Sequence, residues 1–295
     1  MSKLLFLVNH QLSKESGISK KIINQFDALS AVFDTSFLCN FNVVEGKYFR
    51  SVDNKAISKS VNYSERFSRT ILEYNFTSVL KFCNEKKITH IYIRYTHFAH
   101  FNFISFIRKL KMHGVKIVIE IPTFPYDDEY ISNYSVKGIY SYLRLSSERL
   151  FRKYMRFYVD RVVTFSEHDE IFGIKAINIS NAVSTELSPC SSIINRHSKN
   201  IKFVGVAVLA HWHGYDRFIK SLAAHYSTHN HKRYQITFDI VGGGPLLDEL
   251  KLLAKELDVS EYVTFHGYLS GKELDRVISQ GKIMNMPMFK GFVAN

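Results

Sequence analysis

One stretch of the chain, residues 237–269, restricts the fold more than any other. It reads as a buried strand ending at Val241, a turn of three glycines before Pro245, a helix from Leu246 to Leu257, and a second buried strand. This order forms a βαβ unit, which requires a parallel sheet. Glycines in such a turn let the backbone approach a phosphate, and the helix N-terminus adds positive potential there. The sequence therefore predicts an α/β domain with a phosphate-binding turn.

The position of this unit argues against a dinucleotide-binding dehydrogenase. Such enzymes usually open with their glycine turn, whereas this one lies close to the end of the chain. The turn also fails the dinucleotide fingerprint, because Leu247 stands where the last glycine is required. A tight turn that binds no ligand remains the alternative, since glycine turns are common after strands.

Strands and helices alternate along the rest of the chain, which predicts parallel sheets covered by helices on both faces. The alternation continues to Ile179, stops in the Ser/Asn-rich segment Ser184–Asn200, and restarts at Ile201. We predict two Rossmann-like domains, residues 1–185 and residues 186–295, of which the second is incomplete.

Three regions fit the alternation less clearly. Residues 42–62 are polar and weakly patterned, and we expect no regular structure there. The next segment, Tyr63–Asn84, reads as one helix. Near Ser279 the helix–strand pattern dissolves.

Composition narrows the class of protein. The three cysteines, Cys39, Cys83 and Cys190, lie far apart without metal-ligand spacing, which indicates a reducing compartment. No stretch reaches the roughly 18 apolar residues that a membrane span needs. The net charge of +12 would suit nucleic acid, an anionic membrane surface or phosphorylated substrates. No known nucleic-acid-binding signature accompanies it, which argues against nucleic acid.

The loop after the strand Ile201–Val206 holds the only tryptophan, Trp212, between two histidines. Open α/β sheets bind ligands where their strands end, so His213 could meet a phosphate as a donor or a cation. The alternative is that Trp212 packs against the domain and the histidines are solvated.

Taken in order, the motifs of the second half resemble the donor domain of the family 4 retaining glycosyltransferases. The residues that carry this resemblance are Phe203-Val204-Gly205, His213-Gly214-Tyr215-Asp216, Val241-Gly242-Gly243-Gly244-Pro245 and Val263-Thr264-Phe265-His266-Gly267-Tyr268-Leu269. The first half is similar to the same family more loosely, at Gly17-Ile18-Ser19-Lys20-Lys21, Val162-Val163-Thr164-Phe165-Ser166 and Asn181-Ala182-Val183. The ordered set spans most of residues 1–280 and is more specific than any single motif.

The resemblance implies the GT-B fold, in which two Rossmann-like domains face a cleft. It also implies transfer of a sugar from a nucleotide donor without a cofactor or an obligatory metal. The residues expected at the donor diphosphate are Gly17, Gly205, His213, Arg217, Gly243, Gly244 and Pro245. Those expected beside the base are Gly267, Tyr268 and Leu269.

The chain departs from the family pattern at two places. The family usually has an Arg after Phe-Val-Gly and a Lys before the next glycine, where this chain has Val206 and His213. Phosphate neutralisation is then weaker, or is supplied by His213, Arg217 or Lys220. The tail Pro287–Phe292 resembles the start of the family's Glu-x7-Glu motif with one residue missing, so we expect a truncated gene product.

A carboxylate-rich loop follows the fourth strand of the first half, at Glu120–Glu129. In the family this strand end faces the donor sugar, so the resemblance makes Glu120 the candidate catalytic residue. The alternative is that Glu120 caps the amides of its loop. Asp127, Asp128 and Glu129 are expected to cap the next segment. His97 and His100 are further candidates for the same site.

The helix Val136–Tyr158 carries six basic residues and one acid, Glu148. The spacing of its apolar residues predicts that this helix packs against the core through an apolar stripe. The stripe is Ile139, Leu143, Leu150 and Tyr154, with Phe151 and Met155 beside it. The alternative is docking on an anionic membrane, which would suit a lipid-linked acceptor.

The resemblance implies a cytoplasmic hexosyltransferase of bacterial surface polysaccharide synthesis, such as that of capsule or lipopolysaccharide, peripheral to the inner face of the membrane. The donor is a UDP- or GDP-linked sugar and the acceptor a glycan or a lipid-linked glycan. Two alternatives remain open: a non-catalytic remnant that binds a nucleotide or a partner, and a GT-B sugar-nucleotide epimerase.

Overall fold

The computed structural model describes residues 1–13, 16–127, 136–180, 199–228 and 234–283. The chain divides into two compact units, Met1–Ser184 and Thr185–Asn295. Each unit has its own sheet and its own hydrophobic core.

The first unit is built on a nine-stranded sheet in the order β4-β3-β2-β1-β5-β6-β7-β9-β8. Its strands are β1 (Lys3–Gln11), β2 (Thr35–Val44), β3 (Lys47–Val52), β4 (Lys55–Ala56), β5 (His90–Arg94), β6 (Lys116–Ile121), β7 (Arg161–Thr164), β8 (Glu170–Ile171) and β9 (Ile174–Asn178). The six strands from β2 to β9 in this order pair in parallel, and antiparallel pairs extend both sides of the sheet. The predicted parallel sheet is confirmed.

Helices lie on both faces of this sheet. They are α1 (Gly17–Ser30), α2 (Glu65–Tyr74), α3 (Thr77–Lys86), α4 (Phe101–Met112) and α5 (Val136–Arg152). On one face, the core joins α3 and α4 to β1 through Leu5 and Leu7. On the other, Ile22 of α1 packs with Leu4 and Phe6 of the same strand. This alternation is what a strand with both faces buried requires.

The prediction of no regular structure in residues 42–62 is wrong. Strands β2 and β3 form a hairpin whose turn residues, Glu45 and Gly46, have φ of 49° and 72°. Asp53 and Asn54 turn the chain again between β3 and β4, with φ of 48° and 64°. Two-residue hairpin turns need positive φ at both positions, so these pairs were the available signal.

The segment predicted as one helix, Tyr63–Asn84, is two. Asn75 adopts an extended conformation after α2, and its side-chain oxygen accepts a hydrogen bond from the amide of Thr77 at 3.0 Å. Such local bonds from asparagine compete with helical backbone bonds. The break allows Phe76, which is 4% exposed, to enter the core.

The helix predicted over Val136–Tyr158 ends early as α5, and a short 3-10 turn covers Met155–Phe157. Within the predicted apolar stripe, Met155 is buried and Phe151 is partly buried, while the side chains of Ile139 and Leu143 lie outside the described residues. Leu150 and Tyr154 are 56% and 49% exposed, so the prediction that they pack into the core is wrong. No helix of the described residues is both long enough and apolar enough to cross a bilayer.

The second unit has a parallel four-stranded sheet in the order β12-β11-β10-β13. Its elements are β10 (Asn200–Val206), α6 (Tyr215–Ser227), β11 (Gln235–Val241), α7 (Leu247–Glu256), β12 (Val263–Gly267), α8 (Gly271–Ser279) and β13 (Lys282–Ile283). The predicted βαβ unit is β11, α7 and β12. Its core packs Phe238 and Ile240 of β11 against α6 and α7.

The pattern does not dissolve near Ser279 as predicted. Helix α8 ends there, and β13 then pairs in parallel with β10, Val204 facing Ile283. The predicted tail motif at Pro287–Phe292 and the motif Asn181-Ala182-Val183 lie outside the described residues.

Candidate functional site

Three loops of the second unit follow the ends of β10, β11 and β12, and we call them the glycine edge. They are residues 207–209, 242–246 and 267–269. The amide of Leu209 donates to the carbonyl of Gly243 at 2.9 Å, and the amide of Gly242 donates to the carbonyl of Gly267 at 2.7 Å. Since strand ends are where open α/β sheets bind ligands, this bonded set is the first candidate site.

Two glycines of this edge are required by backbone packing. A Cβ on Gly242 would lie 1.9 Å from the carbonyl oxygen of Ala207, and one on Gly244 would lie 2.7 Å from the amide of Leu209. Their φ values, 130° and 151°, also disfavour any other residue. The tight-turn interpretation therefore explains Gly242 and Gly244 without a ligand.

Two other predicted glycines lie against tyrosine rings. A Cβ on Gly243 would meet the ring of Tyr268 at 2.5 Å, and one on Gly205 would meet the ring of Tyr215 at the same distance. Tyr215 is buried, whereas Tyr268 is 63% exposed and offers its ring to solvent over the glycine turn. Tyr268 is thus placed where a flat ligand could stack on it.

The remaining predicted residues surround this edge with different exposure. His213 and Leu269 are half-buried, while Pro245 and Arg217 are exposed. Gly214, with φ of 67°, lies so close to Arg217 that a Cβ there would be 2.5 Å from the guanidinium. Arg217 therefore lies next to the loop that precedes α6. Trp212 lies outside the described side chains.

A titratable cluster not predicted from the sequence lies within the same sheet. Asp239 is 4% exposed and lies 3.2 Å from the Nζ of Lys202 and 3.1 Å from the Nε2 of His266. The three residues come from β10, β11 and β12, where only their spatial register brings them together. Sequence spacing carries no signal for such a contact.

In the first unit, the structure buries the predicted catalytic residue. Glu120 is fully buried; its Oε1 pairs with Arg94, and its Oε2 accepts a hydrogen bond from the Tyr92 hydroxyl at 3.0 Å. These side-chain partners, and not the loop amides of the alternative interpretation, satisfy the carboxylate. Burial, and then the charge of Glu120, raise the pKa of Tyr92. The catalytic role of Glu120 stays a prediction.

Basic residues gather around this pair at the ends of β1 and β5 and in the first turns of α1. We call Glu120, Arg94, Lys21 and His10 the charged edge. Arg94 also donates to the side-chain oxygen of Gln25 at 3.3 Å. His10 and Arg94 were missed in the sequence; their position at the ends of predicted strands was the available signal.

The loop after β6 is tied to α5 by a network of charges. Asp127 pairs with Arg149 and Arg152, each at 2.9 Å, and these bonds hold the pKa of Asp127 below its usual range. Buried Glu148 pairs with Arg152 at 3.1 Å and accepts hydrogen bonds from two tyrosine hydroxyls. Asp127 therefore binds side chains of α5, and the segment that it is predicted to cap, with Asp128 and Glu129, lies outside the described residues.

The two histidines that follow β5 contact other residues of the first unit. His97 stacks on Tyr126 with ring centroids 3.6 Å apart, and His100 accepts a hydrogen bond from the amide of Phe103 at the start of α4. Burial lowers the pKa of each to about 4. Within the described ranges, no group of three or more His, Cys, Asp or Glu side chains could hold a metal ion.

Comparison with known families gives one match. Residues 191–292 match the sequence profile of the family described as Glycosyl transferases group 1. This range contains the glycine edge of the second unit. No curated protein sequence matches the chain.

Solved structures similar to this one are glycosyltransferases of the GT-B fold. The lipopolysaccharide outer core galactosyltransferase WaaB is 13% identical, with a TM-score of 0.53 over 95% of this chain and 72% of WaaB. WaaG, involved in lipopolysaccharide biosynthesis, is 11% identical, with a TM-score of 0.56 over 93% of this chain and 72% of WaaG. A variant of S. aureus TarM in complex with UDP is 11% identical, with a TM-score of 0.52 over 91% of this chain and 78% of TarM. At these identities the likeness shows the fold, and the predicted GT-B fold is confirmed.

Proposed function

We propose that this chain is a retaining glycosyltransferase of family 4 that transfers a hexose-type sugar from a nucleotide-diphosphate donor to a glycan or lipid-linked acceptor. The second unit would bind the donor and the first unit the acceptor. One observation carries the proposal: the range matched by the glycosyltransferase profile, residues 191–292, holds the glycine edge. A fold alone hosts many functions, so the proposal is supported by the sequence match within the site rather than by the fold.

The glycine edge can stabilise the departing diphosphate without a metal. Helix α7 begins at Leu247, directly after the glycine turn, so its first amides and its dipole add positive potential there. His213 and Arg217 lie at the start of α6 and could add donors. Catalysis by such a site is mainly positioning and electrostatic stabilisation of the leaving group.

A nucleobase would stack on the exposed ring of Tyr268, beside Gly267 and Leu269. Among the similar structures, TarM is complexed with UDP, which makes uridine the first base to test. We further propose that the acceptor is a bacterial surface polysaccharide or its lipid-linked precursor and that the reaction takes place in the cytoplasm.

The test has two steps. Thermal unfolding of the full chain is measured with and without UDP, GDP and their sugar conjugates, because a ligand that binds the native state raises the midpoint. The conjugate that gives the largest shift is then incubated with acceptor extracts, and released nucleotide diphosphate is quantified. A shift followed by acceptor-dependent release supports the proposal; the absence of any shift at millimolar ligand contradicts it.

The two alternatives give different outcomes in the same assay. A non-catalytic remnant would show the nucleotide-dependent shift with no release. The other alternative, a sugar-nucleotide epimerase, draws on the 3.1 Å distance between the His266 Nε2 and the Asp239 carboxylate, because histidine and carboxylate are side chains that can act as acid and base. Its product would be an epimerised sugar nucleotide, which chromatography separates from the donor.

We also propose peripheral contact with an anionic membrane through the end of α5. Leu150, Tyr154 and Phe157 are exposed, and the neighbouring Lys153 and Arg156 are exposed as well. Apolar side chains next to basic ones suit the interface of an anionic bilayer, where each basic residue adds about 1 kcal/mol. Co-sedimentation with liposomes should rise with their content of phosphatidylserine; binding that ignores anionic lipid would contradict the proposal.

A further inference from the structure

The charged edge of the first unit gathers basic groups that lie far apart in the sequence. Arg94 ends β5, Lys21 lies in α1, and His10 lies in β1. Arg94 is 9% exposed, and the Nζ of Lys21 lies 3.7 Å from the ring centroid of Phe165. The sheet and its first helix therefore hold these groups in place, whereas most surface lysines and arginines are free to move away from one another.

The basic groups lie near one another. Val8 pairs with Arg94 in the register of β1 and β5, so His10 lies just beyond Arg94. Arg94 also bonds Gln25, one helical turn from Lys21. Burial, and then the charges of Arg69 and Arg94, lower the pKa of His10. Burial, and then the charge of Arg94, lower the pKa of Lys21. Glu120 is bound directly to Arg94 and acts on the pKa of Lys21 in the opposite direction, but less strongly than Arg94 does. The charged edge thus has a positive potential that a bound anion would relieve.

One atom of this edge has an unused hydrogen-bonding capacity. The Nε2 of His10 is buried and has no hydrogen-bond partner among the described residues. Buried polar atoms are nearly always paired, so an unpaired one calls for a water or a ligand. It lies where the parallel strands end, which is the usual place for a ligand in an open α/β sheet.

We propose that the charged edge binds a phosphoryl group, with Arg94 and Lys21 as cations and His10 as a hydrogen-bond donor. Glu120 holds Arg94 in position. That this group belongs to a substrate rests on the proposed function; its binding does not. The phosphoryl group belongs to a phosphorylated acceptor, because the donor diphosphate is assigned to the glycine edge of the second unit.

The test measures binding of inorganic phosphate and of inorganic pyrophosphate to the full chain by calorimetry. Lys21→Gln removes one proposed contact and leaves the pair of Arg94 and Glu120 intact, so the variant should fold. Lys20→Gln is the matched control, since Lys20 is an exposed neighbour on the same helix with the same charge. We expect Lys21→Gln to weaken binding about tenfold, the effect of losing one hydrogen bond to a charged group, and Lys20→Gln to change it by less than about twofold.

Three results would overturn the inference. The first is that neither anion binds, and the second is that the two lysine variants weaken anion binding equally. The third is that Arg217→Gln loses anion binding while Lys21→Gln binds both anions normally. UDP titration separates this edge from the glycine edge. Lys21→Gln should leave UDP binding unchanged, and weaker UDP binding in this variant would overturn the assignment to a phosphorylated acceptor. A chain that binds phosphate at this edge but neither binds nor turns over any nucleotide would refute the proposed function and leave this inference standing.

Discussion

The glycine edge and the charged edge each lie where parallel strands end, one in the sheet of each unit. They are nevertheless built from different groups. The glycine edge is backbone packed on backbone, with Gly242 and Gly244 leaving no room for a side chain. The charged edge is side chain packed on side chain, with Arg94 and Glu120 buried as a pair. Steric fit determines the glycine edge and ion pairing determines the charged edge. Different kinds of substitution should therefore destabilise the two.

The largest effect is expected at Gly242. In Gly242→Ala the new methyl group would meet the carbonyl of Ala207 at 1.9 Å in a backbone conformation that alanine avoids. We expect the second unit to lose about 5 kcal/mol or more, measured by urea unfolding. Gly267→Ala is the control, because its Cβ would meet nothing within 4 Å, and about 1–2 kcal/mol of strain is expected there. Equal losses would mean that packing does not define this edge.

The next effect is expected at the charged edge. Arg94→Met leaves Glu120 buried without its cation, and loss of one partner of a buried pair typically costs about 3–5 kcal/mol. The double variant Arg94→Met/Glu120→Gln should recover much of this loss, since no unpaired charge remains. Urea unfolding of both variants gives the comparison. A double variant no more stable than the single one would show that shape, and not charge, holds this edge.

Lowering the pH should reduce the stability of the first unit through His97 and His100. Their pKa values in the folded protein are lowered to about 4, whereas in the unfolded chain they are near 6.5. As the pH falls from about 6.5 to 4, the unfolded state binds protons that the folded state does not, so the free energy of unfolding falls, by about 2 kcal/mol per histidine.

The check is urea unfolding of the first unit as a function of pH. His97→Asn/His100→Asn should flatten the profile in this window, because asparagine can cap α4 and tolerates the φ of 56° at position 97. The control His211→Gln changes an exposed histidine of the other unit. A profile unchanged in the double variant would assign the acid sensitivity to other groups.

The smallest effect concerns ligand binding alone. Tyr268→Ala removes an exposed ring from the glycine edge, so stability should change little, while UDP binding should weaken about tenfold, or about 1.4 kcal/mol. Leu252→Ala, which removes an exposed apolar side chain of α7, is the control and should leave UDP binding unchanged. Calorimetric titration measures both. Equal affinity in the two variants would remove Tyr268 from the proposed base site.

The two edges also differ in how far the sequence alone could predict them. The glycine edge lies within one continuous motif, so the order of β11, the glycines and α7 could be read directly. The contacts that explain Gly242 and Gly244 come from the loop after β10, and only the structure shows them. Sequence patterns give the order of the elements along the chain, but they do not show which loops touch.

The charged edge joins residues of β1, α1, β5 and β6, and no local spacing predicts that meeting. Glu120 was found from the family resemblance and its place near the end of a buried strand. Its partner Arg94 could be identified only from the register in which β5 lies beside β6. Similarly, the break at Asn75 depends on Phe76 entering the core, which helical periodicity does not reveal. Local patterns thus predicted most elements, and tertiary contacts decided the site.

The contacts of the three glycines have a consequence for how such a chain can change over evolutionary time. The neighbours of Gly242 and Gly244 are main-chain atoms, which every amino acid carries, so no second substitution can make room for a side chain there. The neighbour of Gly243 is the ring of Tyr268, which a substitution can shrink. Among descendants of this sequence, substitutions at position 243 should therefore occur together with substitutions at position 268, while positions 242 and 244 stay glycine.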